Sequence, residues 1–181
     1  MKTYISILRG INVSGQKKIV MRDLKALYER AGFNSVNTYI QSGNVIFESE
    51  LSDPATIQTQ LESAIERHYT FQVPVQVFSL VEFRKVLDFM PFEGVSLEAD
   101  GAKVLICFLS KKPGRNALES IETSLSESES VVVEGRAVYL HCPNGYGKTK
   151  LSNVFLEKKL GLVSTTRNLK TVTALVDLAE S

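Results

Sequence analysis

The sequence is poor in the residues that most enzyme chemistry on a domain of this size relies on. Two cysteines, Cys107 and Cys142, and two histidines, His68 and His141, are all that its 181 residues contain. So sparse a pair of cysteines is no disulfide framework. Each lies in a run that reads as a strand, where a reduced thiol behaves as a small core hydrophobe. No Cys/His spacing suits zinc. His68 falls on the expected inner face of a helix and His141 within a strand, where an imidazole is held structurally. No serine sits in a G-x-S-x-G elbow. The carboxylates are scattered over helix faces, with no pair to divide the roles of acid and base. A formal net charge of +1 selects neither nucleic acid nor membrane nor an acidic partner. The apolar runs are far shorter than the ~20 residues needed to cross a bilayer. The opening residues lack the core and cleavage site of a signal peptide. The expectation is a cytoplasmic protein with no membrane association, no cofactor and no metal.

What the chain does have is enough apolar surface for a real core, 44% of its residues. Tyr4-Ile5-Ser6-Ile7-Leu8 reads as a central strand covered on both faces. A polar loop follows, from Gly10 to Lys18. Met21, Leu24, Leu27, Tyr28 and Ala31 then recur at helical spacing, with Gly32 where a helix ends. Strands over residues 36–40 and 45–47 are joined by Gln41-Ser42-Gly43-Asn44, which is hairpin chemistry. Asp53-Pro54 opens a second helix, with Ile57, Leu61, Ala64, Ile65 and His68 facing inward. The strand over residues 73–78 places Val73, Val75 and Val77 on one face. The order β-α-β-β-α-β is the split βαβ, or ferredoxin-like, unit.

Ser79-Leu80-Val81-Glu82 matches a capping box and starts a helix with Phe83, Val86, Leu87 and Met90 inward. Pro91 to Gly101 gathers breakers, so the chain divides into subdomains 1–92 and 93–181. The second half repeats the order. A strand over residues 103–109, a short helix with Leu118, Ile121 and Leu125, and a hairpin of residues 130–133 and 137–142 through Glu134-Gly135-Arg136 come first. A Gly-rich loop, Pro143 to Gly147, leads into a helix that carries Leu151, Val154, Phe155 and Leu156 and ends at Gly161. No clear closing strand appears, only an extended stretch over residues 163–166. A last helix begins near Asn168, with Val172, Leu175, Val176 and Ala179 inward. The expected fold class is α+β: two ferredoxin-like subdomains, each an antiparallel sheet with helices on one face, plus a C-terminal helix.

Four polar clusters stand at element ends. Gly145-Tyr146-Gly147-Lys148-Thr149 resembles half of a phosphate-binding loop, but Cys142 occupies the position of its first glycine, which argues against nucleotide hydrolysis. An anion could still rest at the start of the following helix beside Lys148 and Lys150. The plainer reading makes both lysines solvated and Thr149 an N-cap. Ala174-Leu175-Val176-Asp177 looks like the acidic strand of such a site but has helical surroundings. The other clusters are Arg9-Gly10-Ile11-Asn12 with Lys17 and Lys18, Gln41 to Asn44, and Thr165-Thr166-Arg167-Asn168. Each taken alone is turn or capping chemistry.

Taken together, Ile7-Leu8-Arg9-Gly10-Ile11-Asn12-Val13, Thr38-Tyr39-Ile40-Gln41-Ser42-Gly43-Asn44-Val45, Pro143 to Leu151 and Thr165-Thr166-Arg167-Asn168 with Thr171-Val172 resemble the bacterial "domain of unknown function 1697" family over essentially the whole chain. The resemblance implies two ferredoxin-like subdomains and carries no activity. The family's signature falls on Arg9, Gly10, Asn12, Gly15, Ser42, Gly43, Asn44, Gly147, Lys150, Arg167 and Asn168. Ser14 stands where a second glycine is common and Thr149 where serine is common.

The ligand-binding candidates are therefore Arg9, Asn12, Ser42, Asn44, Lys148, Lys150, Arg167 and Asn168. The leading expectation is a small anionic ligand, carrying phosphate or carboxylate, held where the two halves meet. A second reading is a protein-interaction domain whose polar signature is structural, with Arg9 and Arg167 buried in internal bonds. The third is a nucleic-acid-binding module, which would want aromatics such as Tyr39 and Phe47 exposed on a sheet face.

Overall fold

The nearly continuous apolar run at the start of the chain becomes β1, Lys2–Leu8, in a computed structural model that describes residues 1–181. It is followed by α1 (Met21–Arg30), β2 (Asn34–Tyr39), β3 (Asn44–Ser49), α2 (Pro54–Tyr69) and β4 (Val75–Ser79). The four strands form one sheet in the order β2-β3-β1-β4, with every neighbouring pair antiparallel. This is the split βαβ arrangement expected from the element order.

Side chains alternate across β1, so Tyr4 and Leu8 face α1 and α2 while Ile5 and Ile7 face the other way. On the helix side, Tyr4, Phe47 and Val77 form one core with Leu24, Tyr28, Ile57, Leu61 and Ile65. Burying each such large side chain contributes roughly 1.5–3 kcal/mol. On the other face Ile5, Ile7, Ile46 and Phe78 are also buried. Phe83 stands edge-on to Phe78 there, 5.9 Å between ring centroids. A strand covered on both faces has no polar positions to spare, which is why β1 reads as one apolar run.

Local chemistry sets the helix ends. Gly32 has φ 92°. It lets the chain leave α1 through paired bonds from Gly32 N to Glu29 O (3.0 Å) and from Phe33 N to Tyr28 O (3.2 Å). The accompanying apolar contact is the Tyr28 and Phe33 rings, 6.0 Å apart. Asp53 caps α2 by accepting from Ala55 N and Thr56 N. The helix α3, Leu80–Phe89, opens on the expected capping box: Glu82 N donates to Ser79 Oγ at 3.2 Å and Ser79 N to Glu82 Oε2 at 2.9 Å. His68, expected to face inward on α2, is exposed, with its ring edge-on to Tyr69. It lies in the last turn of α2.

The second sheet is built from β5 (Val104–Leu109), β6 (Ser130–Glu134), β7 (Ala137–His141) and β8 (Ser164–Asn168), in the order β6-β7-β5-β8 and antiparallel throughout. A short helix, α4 (Leu97–Asp100), precedes β5. The helices α5 (Ala117–Glu122) and α6 (Asn153–Leu160) cover one face, where Leu105, Cys107, Ile121, Leu140 and Leu156 pack together. The last helix, α7 (Leu169–Glu180), carries Val172, Leu175 and Val176 buried. The stretch Ala174 to Asp177 is therefore helical.

Two expectations are corrected in this half. The closing strand exists: β8 pairs with β5 along five residues, from Leu105 with Asn168 to Leu109 with Ser164. Its sequence, Ser-Thr-Thr-Arg-Asn, lacks an apolar alternation because Ser164 and Thr166 are held by side-chain bonds to Asn153 rather than by hydrophobic contact. The Gly-rich loop does not run into α6. It forms a single 3₁₀ turn, Tyr146–Lys148, and the cap of α6 is Ser152, whose Oγ accepts from Phe155 N at 3.2 Å. Thr149 instead accepts from Leu151 N.

The chain divides into two compact units, Met1–Lys85 with Leu175–Ser181, and Val86–Ala174. The division falls within α3 rather than in the breaker-rich segment after it. The last residues of α7 belong with the first unit, where Arg84 Nη1 donates to both carboxylate oxygens of Glu180 at 2.7 and 2.9 Å. No helix is long and apolar enough to cross a membrane.

Candidate functional site

The polar residues singled out by the sequence fall into two groups, one in each unit. In the first unit the group gathers around the loop between β1 and α1. Arg9 leaves β1 with its backbone N bonded to Pro74 O at 2.9 Å, and it is half-buried. From there the backbone enters the left-handed region repeatedly: Gly10, Asn12, Ser14, Gly15 and Lys17 have φ of 70°, 55°, 51°, 75° and 44°. A non-glycine residue so held costs on the order of 1–3 kcal/mol, and such a conformation persists only when its surroundings impose it.

The Asn12 side chain helps hold it there. Its Nδ2 donates to Ile19 O at 2.9 Å and to Gln41 O at 2.8 Å, while its Oδ1 accepts from Ile19 N at 2.9 Å. One amide thus closes the loop on itself and ties it to the β2–β3 turn. Lys17 adds a second brace by donating from Nζ to Gln72 O at 2.7 Å. In the turn, Asn44 is fully buried and its Nδ2 donates to Tyr39 O and Ser42 Oγ, at 2.9 and 3.0 Å. Gly43, with φ 82°, admits no side chain: a Cβ there would lie 2.6 Å from Ile11 Cδ1 and 2.8 Å from Leu8 Cβ.

Between loop and turn lies an open groove of about 440 Å³, lined by Asn12, Gly15, Lys18, Ile19, Val20 and Gln41. Val20 is 58% exposed, and Val13 and Ile40 nearby in sequence are comparably open to solvent. The groove therefore offers apolar wall, backbone and one lysine ammonium. Sequence reasoning found Asn12 but missed Gln41, Ile19 and Val20 as groove wall. The density of glycine and turn-forming residues from Gly10 to Gly15 was the available signal.

In the second unit, Lys148 and Lys150 are exposed. They stand in the segment before α6, which starts at Asn153. Arg167 is only 9% exposed. Its Nη1 donates to Thr165 Oγ1 at 3.0 Å and to Thr166 O at 2.9 Å. Asn168 caps α7 by accepting from Thr171 N at 2.9 Å. The loop and β8 are linked at Tyr146, whose hydroxyl is 3.5 Å from Thr166 Oγ1. Burial pushes the Tyr146 phenol up, opposed by its bond to Thr166. Cys107 and Cys142 are buried and in no disulfide, and burial raises the Cys142 thiol to about 11.

Most of the signature is thus spent within the protein. Asn12, Ser42, Asn44, Arg167 and Asn168 all bond to neighbouring backbone or hydroxyls. Phe47, one of the strand aromatics a base-stacking surface would need, lies in the core within 6 Å of the Tyr4, Tyr28 and Phe33 rings.

Comparison with known proteins agrees with this two-unit architecture. The conserved bacterial protein SP0830 from Streptococcus pneumoniae is similar over 100% of this chain and 99% of its own, with 25% sequence identity and a TM-score of 0.78. No curated protein matches the chain. The model of a family described as "Protein of unknown function (DUF1697)" matches residues 1–139, which takes in the Met1–Lys85 part of the first unit and the second as far as β7. The chain belongs to the DUF1697 family.

Proposed function

We propose that the first unit binds a small anionic ligand, an acid with an apolar body, in the groove between the β1–α1 loop and the β2–β3 turn. The observation that carries this reading is the strained loop itself. Five residues between Gly10 and Lys17 have left-handed backbone, and Asn12 pins them at the edge of an open groove. Strain of this kind clusters at ligand clamps. The signature residues then serve as positioning residues that shape the groove. The ligand meets Lys18, the Ile19 and Val20 wall and the Gln41 backbone. One ammonium beside apolar wall suits a carboxylate or single phosphate better than a polyphosphate. The buried Cys107 and Cys142, joined in no disulfide, support a reducing compartment, the bacterial cytoplasm.

Thermal shift of the full chain against carboxylic acids, sugar phosphates, nucleotides and short RNA, at two salt concentrations, tests this. Binding to the folded state at a hundredfold excess over Kd stabilises by about 2.7 kcal/mol. The expected result is a salt-tolerant shift with an apolar-bodied acid, lost in Lys18→Ala. A steeply salt-sensitive shift with RNA alone would instead favour nucleic acid.

The second reading, a protein-interaction domain with an architectural signature, is favoured by Arg167, which is buried and bonded to its own strand. The absence of any shift would leave that reading in place.

A further inference from the structure

A second groove, of about 320 Å³, runs between α1 and α2 on the outer side of the first unit. Its floor is apolar, from Leu27 and Ala64, and Gln60 ties the two helices together by donating from Nε2 to Ala31 O at 2.7 Å. Arg30 enters from α1, and Arg67 and His68 from α2, while no carboxylate lines it. The nearest acidic residues in sequence are engaged elsewhere. Glu29 faces Lys25, Glu62 accepts from Val75 N, and Glu66 accepts from Gln72 Nε2. Basic residues in a last helical turn complement the helix dipole one by one. That role does not require residues from two helices to line one concave site that no carboxylate lines.

We propose that this groove binds a phosphate group, with Arg30 and Arg67 as its ligands and His68 at its edge. Guanidinium forks match the spacing of phosphate oxygens and hold them through paired charge-assisted bonds. The site is separate from the β1–α1 groove and shares no residue with it.

Titration of the full chain with inorganic phosphate at physiological ionic strength, followed by proton–nitrogen NMR of amides and guanidinium groups, tests the site. Saturable shifts are expected at residues 30, 60, 67 and 68. Arg30→Gln and Arg67→Gln should each weaken binding by about tenfold or more. Both positions are exposed, so melting in phosphate-free buffer should change only by the small loss of the dipole interaction. Lys18→Ala should bind phosphate as the parent does. Absent or non-saturable shifts would overturn the site, as would shifts that survive in the Arg30→Gln, Arg67→Gln double variant. Shifts confined to residues 10–20 and lost in Lys18→Ala would also overturn it, while supporting the other groove.

Discussion

The side-chain amide of Asn12 binds both polar groups of Ile19, accepting from its N and donating to its O, each at 2.9 Å. It does for the loop what a paired strand residue would do, and adds a third bond to Gln41 O. Alanine at this position loses all three bonds. At roughly 1 kcal/mol per bond, Asn12→Ala should cost about 2–3 kcal/mol, read as a lower urea midpoint at unchanged slope. Asn12→Asp keeps the acceptor and loses both donations, so it should fall between the parent and alanine. Equal stability of all three proteins would show that the loop is held some other way.

Gly43 faces a different constraint. Its φ of 82° and the 2.6 and 2.8 Å approaches of Ile11 and Leu8 leave no room for a methyl group. Gly43→Ala should destabilise by about 2–4 kcal/mol, from overpacking and backbone strain together. Trimming Ile11 to valine in the same chain should recover part of the loss, because the nearest clash is with its Cδ1. A double-mutant cycle with no coupling between the two positions would contradict this geometry.

Within the core of the first unit, the Ser6 and Tyr28 hydroxyls are 2.9 Å apart and both residues are fully buried. Removing one partner leaves the other buried hydroxyl short of a bond, which costs about 1–3 kcal/mol. Removing both leaves nothing to satisfy. Ser6→Ala should therefore be clearly destabilising in the parent and much less so in the Tyr28→Phe background. Additive losses, measured by chemical denaturation, would mean that the two groups are not coupled.

Cys142 predicts an alkaline weakness. Its thiol is raised from an ordinary value of 9.0 to about 11 by burial, with Glu129 adding to the effect and the Thr149 hydroxyl opposing it. In the unfolded chain the thiol loses its proton first, so the unfolded state binds fewer protons as pH rises from 9 toward 11. Stability then falls across that window. The decline in melting temperature should be shallower in Cys142→Ala. Thiol reagents at neutral pH should react with neither cysteine until the chain is unfolded. Rapid labelling of the native protein would refute the buried placement.

The capping box at α3 makes a modest and specific contribution. Ser79→Ala removes the acceptor for Glu82 N and should cost about 1 kcal/mol. Ser79→Asp, which can accept the same bond, should retain most of that stability when the two are compared by denaturation.

Much of the fold could be read from local pattern, for identifiable reasons. Gly32, Asp53-Pro54, Ser79 with Glu82, and Gly161 act through bonds to residues a few positions away, so their meaning is already present in one dimension. The paired α-β-β-α order followed from periodicities of 2 and 3.6 that burial imposes on strands and helices. Where the local signal was weak, long-range pairing decided. β8 is a strand because β5 offers it a ladder, and Asn153 of α6 accepts from its Ser164 and Thr166 hydroxyls. The 3₁₀ turn at Tyr146 and the cap at Ser152 displaced the expected helix start from Thr149 by several residues, because Thr149 accepts from Leu151 N while Ser152 accepts from Phe155 N.

The candidate site divides in the same way. The sequence by itself determined which residues are polar at element ends, Asn12, Ser42, Asn44, Arg167 and Asn168 among them. Only the tertiary structure decided that these side chains are spent on holding loops. It alone made a wall of Ile19, Val20 and Gln41, and set Arg30 of α1 and Arg67 of α2 on one groove. Concavity and the convergence of like charges are properties of side chains far apart in the chain, and no local spacing encodes them.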